Sequence, residues 1–266
     1  MTAQTVPGPE VGSAARMVIA AALTAAAVPT MAAMAWQATR LRSLIDMPVP
    51  TYAIRATVGD GSDEPLQLAV LGDSLVAGVG APHREQSLPW QLAEVLAGEL
   101  ARRVHVVGLG KPSATTDQVR AQVARMPSGT DVVVVVSGAN DVRRHTSPQV
   151  FCRAFDALLA DILRTDVGLV VTTGMPDFRS VSALAPGVRG SVAIWSQHLH
   201  TRQRRAAAAH GALFVDLKSQ VAHTFRGDPA MFGADGFHPS PQGYALLART
   251  LGPPIATALR GRPRGK

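Results

Sequence analysis

Short apolar runs alternate with longer segments of helical periodicity from Leu66 onwards, and this alternation constrains the fold more than any other feature. Each run has the length and composition of a strand buried on both faces. Helices between such strands cover both sides of the sheet. The sequence therefore predicts an α/β fold, a three-layer α/β/α sandwich around a parallel five-stranded sheet. The five runs read LQLAVLG, VHVVG, DVVVVVSG, VGLVVTTG and GALFVDL.

Helical spacing of apolar residues predicts four helices between and after these strands. Leucines recur on one face from Leu88 to Leu100. Ser147 followed by proline is typical of a helix start, because serine caps the helix and proline suits its first position. Two further helices are predicted over Ser191–His210 and Pro241–Leu259.

The N-terminal part of the chain contains an uncharged stretch, Met17–Thr39, between Arg16 and Arg40. Its length suits a membrane span. It is either an uncleaved anchor or a secretory signal with a small-residue cleavage site at Ala33–Ala35. The alternative is an alanine-rich helix packed on the domain. We expect a membrane-anchored or secreted protein of the cell envelope, in contact with the membrane through this segment.

Composition and the positions of proline and glycine divide the chain into four parts. Residues 1–39 form the anchor or signal segment, and residues 40–65, rich in proline and glycine, form a linker. Residues 66–260 form the α/β domain, and residues 261–266 a basic tail. The net charge is +7, but the arginines are scattered and aromatic residues make up only 5%, which argues against nucleic-acid binding.

Polar residues follow the predicted strands where a parallel sheet gathers its functional groups, at the carboxyl ends. Ser74 follows the first strand, and it is either a helix cap or a nucleophile. Asp235 and His238 share a short loop, where the carboxylate can accept the imidazole Nδ1–H and free the other nitrogen to take a serine proton. The alternative for this loop is a capping aspartate beside an exposed histidine.

A serine nucleophile also needs donors for the oxyanion that forms during acyl transfer. Asn140 offers a side-chain N–H at the end of the third strand, unless it only forms an Asx turn. The backbone N–H of Ser74 offers a second donor. Asp73 is predicted to hold the nucleophile loop by hydrogen bonds, and Asp141 to brace the Asn140 turn.

Three ordered blocks, GDSLVAG, GAND and DGFHP, resemble the SGNH hydrolases, also called GDSL esterases and lipases. The resemblance spans about residues 66–260. It implies a flavodoxin-like sandwich without a cofactor or metal. It also implies that Ser74 is the nucleophile, His238 the base and Asp235 its orienting acid, with Asn140 in the oxyanion hole.

One block departs from the family pattern, because Ser113 stands where the family has a glycine that donates its backbone N–H. Gly110, three residues earlier, is the alternative donor, and we favour Ser113. We expect a serine hydrolase of carboxylic esters, with lipid esters, thioesters or O-acetylated glycans as substrates. The segment Met175–Gly190 is a candidate pocket wall, in which Phe178 and Leu184 either contact the acyl chain or cover the core.

Two alternatives to a hydrolase remain at this point. The first is an envelope acyltransferase that uses the same acyl-enzyme and an alcohol acceptor. The second is a non-enzymatic basic protein that binds anionic lipid or glycan through its arginines.

Overall fold

Six strands form one sheet in the computed structural model, which describes residues 48–262. The order across the sheet places strands 1, 3, 2, 4, 5 and 6 side by side. The first strand is antiparallel to its neighbour, and all other neighbouring pairs are parallel. The strands are β1 (Arg55–Val58), β2 (Leu66–Gly72), β3 (Val104–Gly108), β4 (Val132–Val136), β5 (Leu169–Thr173) and β6 (Leu213–Val215).

Strands β2 to β6 confirm the five predicted runs, and the prediction of five strands is one short. The additional strand, β1, lies within residues 40–65, so the linker prediction is wrong for Arg55–Val58. This strand is only four residues long, lies at the sheet edge and is partly exposed. Its pairing with β3 stabilises it, and a short edge strand next to glycines leaves little periodic signal in the sequence.

The helices follow the predicted order, and three of the four predicted helices begin where the sequence places them. Ser147 caps its helix, since its side chain accepts a hydrogen bond from the backbone N–H of Val150. The long helix predicted from Ser191 begins five residues earlier, at Pro186. Within the described residues the α-helices are α1 (Ser74–Ala77), α2 (Leu88–Leu100), α3 (Thr116–Arg120), α4 (Ala139–Arg143), α5 (Pro148–Leu163), α6 (Pro186–Ala209), α7 (Leu217–Gly227) and α8 (Pro241–Arg260).

Helices cover both faces of the sheet, which confirms the three-layer α/β/α arrangement. Helices α2, α7 and α8 pack together on one face, while α3, α5 and α6 pack together on the other. All five valines of β4 are buried. Because successive side chains of a strand point to opposite faces, this burial requires a helical layer on each side.

The predicted anchor or signal segment, the part of the linker up to residue 47 and residues 263–266 of the basic tail lie outside the described residues. They stay predictions. Within residues 48–262, every helix is too short or too polar to cross a membrane.

The parallel arrangement brings three loops to one edge of the sheet. Strands β2, β3 and β4 are neighbours, and each ends at this edge. The β2–α1 turn carries Asp73 and Ser74, the loop between β3 and α3 carries Ser113, and α4 carries Asn140. The carboxyl edge is therefore where the predicted polar residues meet.

Candidate active site

The turn after β2 is held tightly between its neighbours. The backbone N–H of Gly72 donates to Gln122 Oε1 at 2.9 Å, and Gln122 Nε2 donates back to the Gly72 carbonyl at 2.8 Å. A Cβ on Gly72 would lie 2.3 Å from the carbonyl oxygen of Val136 in β4. Asp73 caps α1 by accepting from the backbone N–H of Leu75 at 3.1 Å. Ser74 therefore begins a short helix from a rigid strand end.

The loop between α7 and α8 is closed by its own hydrogen bonds. Asp235 Oδ1 accepts from the backbone N–H groups of Phe237 and His238 at 2.9 and 3.0 Å. The N–H of Gly233 donates to the His238 carbonyl at 2.8 Å. Gly236 has a φ of +62°, a left-handed conformation that glycine adopts without strain. The Asp-x-x-His spacing thus forms a compact turn that fixes the acid relative to the imidazole.

The structure brings Ser74, His238 and Asp235 together, although Ser74 and His238 are 164 positions apart in the chain. His238 Nδ1 lies 2.6 Å from Asp235 Oδ2, and His238 Nε2 lies 3.0 Å from Ser74 Oγ. An ionised carboxylate can only accept, so Nδ1 carries the ring proton in neutral His238. Nε2 is then the acceptor for the Ser74 hydroxyl, as a general base requires.

Burial acts on the two carboxyl groups of the site with different outcomes. Burial by itself raises the pKa of Asp235, but hydrogen bonds from His238 and from two backbone amides outweigh it and hold the pKa below its ordinary value. Burial raises the pKa of Asp73 to about 6, although the Leu75 N–H and His238 act in the opposite direction. Asp235 is therefore the carboxylate that stays ionised beside the imidazole.

Asn140 lies next to the nucleophile turn, and its neighbours fix the orientation of its amide. Nδ2 donates to Asp73 Oδ2 at 3.1 Å and to the Ala114 carbonyl at 3.0 Å, while Oδ1 accepts from Arg143 Nε at 3.2 Å. The N–H side of Asn140 thus faces the loop that carries Ser113.

Asp141 braces the start of a neighbouring helix rather than only its own turn. Its Oδ2 accepts from both the backbone N–H and the Oγ1 of Thr116, each at 2.9 Å. These contacts tie α4 to α3. Burial raises the pKa of Asp141, and the hydrogen bonds from Thr116 oppose that change.

Two backbone N–H groups at the site are available as donors. Those of Ser74 and Ser113 form no hydrogen bond to any residue between 48 and 262. Ser113 has a φ of +61°, which lies in the left-handed region that glycine adopts readily. Gly110 packs against the backbone of α1, where a Cβ would lie 2.1 Å from the amide nitrogen of Ala77. Ser113 lines the cleft at Ser74, and Gly110 does not.

A small cleft and a larger apolar cavity have Phe237 in common in their walls. The cleft has a volume of about 30 Å³ and contains Ser74, Ser113, Asn140 and His238 in its wall. The cavity has a volume of about 110 Å³, and its wall includes five residues of α7, residues of the segment after β5 and Val136 at the end of β4. Phe237 lines both, and its ring packs edge-on against His238 with centroids 5.1 Å apart.

The segment 175–190 contributes to the cavity only in part. Met175, Pro176, Asp177 and Ser180 line it, whereas Phe178 and Leu184 do not. Both of the latter are buried outside the cleft and the cavity, so they cover the core. Within the described residues, no group of three or more histidine, cysteine or acidic side chains is placed to hold a metal ion.

Sequence reasoning missed Arg143, which lines the cleft beside Ser74 and His238. A signal was present, because Arg143 follows Asn140 by three positions, and residues at this spacing share a helix face. Phe237 was also missed as a residue of the cleft wall. Its position next to His238 in the sequence was the available indication.

The GDSL-like lipase/acylhydrolase family matches this chain over residues 70–246, well over half of its length. The chain belongs to this family. The resemblance inferred from the three motifs is therefore confirmed. A GDSL-like esterase of Mycobacterium tuberculosis is 30% identical over 193 residues, covering 70% of this chain but only 60% of that protein.

Solved structures share the fold of this family member at low sequence identity. An α/β hydrolase from the metagenome of Lake Arreo, Spain, is 20% identical with a TM-score of 0.59, covering 74% of this chain and 96% of its own. A lipase/acylhydrolase from Enterococcus faecalis is 22% identical with a TM-score of 0.56, covering 75% and 99% respectively. These similarities confirm the predicted SGNH-type α/β fold.

Proposed function

We propose that this family member hydrolyses carboxylic esters through an acyl-Ser74 intermediate. The observation that carries the proposal is the 3.0 Å contact between Ser74 Oγ and His238 Nε2, with Asp235 on the far side of the imidazole. A hydroxyl, a base within hydrogen-bond reach and an acid that orients the base form the arrangement that activates a serine.

The first half of the reaction uses His238 as base and then as acid. Ser74 Oγ attacks the acyl carbonyl carbon while Nε2 takes the hydroxyl proton. Asp235, held ionised by its hydrogen bonds, stabilises the imidazolium that forms. The tetrahedral intermediate expels the alcohol, which leaves with the proton from Nε2.

The oxyanion of this intermediate is stabilised by the unoccupied backbone N–H groups of Ser74 and Ser113 and by Asn140 Nδ2. Asn140 already donates to Asp73 and to the Ala114 carbonyl. The oxyanion therefore shares or replaces one of these acceptors. The amide is held at the site by its neighbours, so only one of its two N–H donors changes its acceptor.

Water completes the cycle by attacking the acyl-Ser74 ester with His238 again as base. The matching family is described as lipases and acylhydrolases, and the mycobacterial relative as an esterase. These descriptions favour water over an alcohol acceptor. Product analysis in the presence of a glycan acceptor separates hydrolysis from transfer.

We propose esters with short acyl groups as substrates, whether lipid esters, thioesters or O-acetylated glycans. The cleft of about 30 Å³ is small, and the neighbouring cavity of about 110 Å³ is apolar. An apolar cavity of about 150 Å³ holds a benzene-sized ligand, so this one suits a chain of only a few carbons. Rates on p-nitrophenyl esters of increasing chain length measure this limit.

We also propose that the protein is anchored in or exported across a membrane, on the basis of the uncharged segment at residues 17–39. The mass of the N-terminus of the protein recovered from its native envelope distinguishes an anchor from a cleaved signal.

The replacement Ser74→Ala tests the proposed function. We expect kcat on p-nitrophenyl acetate to fall by about a thousandfold or more, because the nucleophile is lost. A fluorophosphonate should label the parent at Ser74 and leave the variant unlabelled. Ser191→Ala, at an exposed position of α6, is the matched control and should keep the parent's rate. Unchanged turnover in Ser74→Ala would overturn the proposal.

A further inference from the structure

Arg143 places a positive charge in the wall of the cleft that contains Ser74 and His238. It is the last residue of α4 and is half-buried. Its neighbour Arg144 is exposed instead and donates to the Ser113 carbonyl. Arg143 is thus the guanidinium positioned to meet a molecule that enters the cleft.

The guanidinium of Arg143 has no carboxylate partner among the described residues. Its Nε donates to Asn140 Oδ1 at 3.2 Å, and its Nη1 and Nη2 form no hydrogen bond or ion pair within residues 48–262. The acid that acts on it electrostatically is Asp73, whose Oδ2 accepts from Asn140 instead. Arg144 adds a second positive charge nearby.

This arrangement leaves a cation partly removed from water with no carboxylate in direct contact, because the nearby Asp73 is bonded to Asn140 instead. Partial burial of a charge is unfavourable unless a partner of opposite sign is supplied. Guanidinium groups bind carboxylates through two parallel N–H donors, and Arg143 has free N–H groups on two nitrogens. An anion on the ligand would supply the missing charge.

We propose that Arg143 binds an anionic group carried by the substrate, so that the enzyme prefers esters that also bear a carboxylate. This inference rests on the proposed function and names the substrate class of the same cleft. The carboxylate belongs either to the acyl part or to the alcohol part of the ester. Arg143 also holds the Asn140 amide, and the experiment separates that positioning effect from recognition of the anion.

Two matched substrate pairs distinguish the source of the charge. Monophenyl adipate and phenyl methyl adipate differ only in a carboxylate on the acyl part. The second pair, 4-acetoxybenzoate and its methyl ester, differs in a carboxylate on the alcohol part. We expect the parent to favour the anionic member of at least one pair by about tenfold or more in kcat/KM, as a charge-assisted contact provides.

Replacing Arg143 should remove this preference. Arg143→Gln should bring the anionic-to-neutral ratio of kcat/KM close to one, and Arg143→Lys should keep part of the preference. Arg153→Gln is the matched control, because Arg153 is exposed on α5 and its loss changes the net charge equally. It should keep the parent's ratio. Thermal unfolding of each variant checks that the fold is intact.

A binding measurement keeps the test independent of turnover. Ser74→Ala protein, titrated calorimetrically with the better anionic ester, should bind it about tenfold more tightly than the Ser74→Ala/Arg143→Gln protein. Loss of rate on both members of each pair alike in Arg143→Gln would reduce Arg143 to positioning Asn140 and overturn the inference. A parent enzyme that prefers the neutral esters would also overturn the inference. Failure of a fluorophosphonate to label Ser74 would instead overturn the proposed function. The calorimetric titration tests binding of the anionic ester by Arg143 independently of that result.

Discussion

The nucleophile turn and the base loop reach the same hydrogen bond by different means. The turn at Ser74 is fixed from outside, by Gln122 on both polar groups of Gly72 and by β4 against the Gly72 Cα. The loop at His238 is fixed mainly from within, by Asp235 and by the bond from Gly233 to the His238 carbonyl. The nucleophile thus depends on tertiary packing, and the base on its own short sequence.

The two regions also differ in what burial does to their carboxyl groups. The Asp235 carboxylate accepts from three N–H groups, which hold its pKa low despite burial. Asp73 accepts from Leu75 and Asn140, and burial dominates, so its pKa is raised to about 6. The carboxylate that we propose takes part in catalysis is stabilised by dedicated donors, whereas the supporting carboxyl group is ionised at a cost to the folded state.

The largest effect is expected from Asp235→Asn. The new amide oxygen can still accept from the Phe237 and His238 N–H groups, so the loop should stay closed. Its NH₂ group would donate to His238 Nδ1 and force the proton onto Nε2, which then cannot accept from Ser74. We expect kcat to fall by roughly 10⁴-fold, with a loss of stability no larger than the contribution of the Asp235 charge. A large loss of stability would show that the loop depends on the charge as well.

The two carboxyl groups should give stability changes of opposite sign with pH. The raised pKa of Asp73 contributes stability below about pH 4 that is lost as pH rises through about 6, roughly 2 to 3 kcal/mol in all. The lowered pKa of Asp235 contributes stability above about pH 4 that is lost as pH falls through its folded-state value.

Urea denaturation between pH 3 and pH 8 measures both contributions. Asp73→Asn should reduce the loss of stability that occurs as pH rises from 4 to 6. Asp235→Asn should reduce the loss of stability that occurs as pH falls at the acid end of the range. An equal loss of stability between pH 4 and pH 6 in the parent and in Asp73→Asn would contradict the contrast between the two regions.

The smallest effect is expected at Ser113, whose φ of +61° is strained for serine but not for glycine. Ser113→Gly should therefore raise the free energy of unfolding by up to about 1 kcal/mol. Ser113→Ala should keep kcat within about twofold, because the proposed donor is the backbone N–H. Loss of turnover in a folded Ser113→Ala protein would assign the hydroxyl a role that the cleft geometry does not require.

Local sequence patterns predicted most of the elements around the site. The five apolar runs correspond to strands β2 to β6, and Ser147 caps its helix as expected. The Asp-x-x-His turn of residues 235–238 could also be predicted from the sequence, because its hydrogen bonds lie within four residues. The contacts of the helix cap and of the turn lie within a few residues of the chain, and the strands are recognised by their apolar composition.

Features that depend on distant contacts were not predicted. Strand β1 exists through its pairing with β3, some fifty positions away. The choice between Ser113 and Gly110 was open because the packing of Gly110 against α1 is invisible in the local sequence. Phe178 and Leu184 lie among apolar residues in the sequence, and only packing decides whether such side chains face a pocket or the core.

The sequence by itself determined the alternation of strands and helices, the family and the closed turn that joins Asp235 to His238. Tertiary structure decided that Ser74 Oγ and His238 Nε2 lie 3.0 Å apart, that Ser113 lines the cleft and that Arg143 is half-buried there without a carboxylate partner among residues 48–262. The physical reason is distance along the chain: periodicity and turn chemistry act over a few residues, whereas the order of parallel strands brings together groups 164 positions apart.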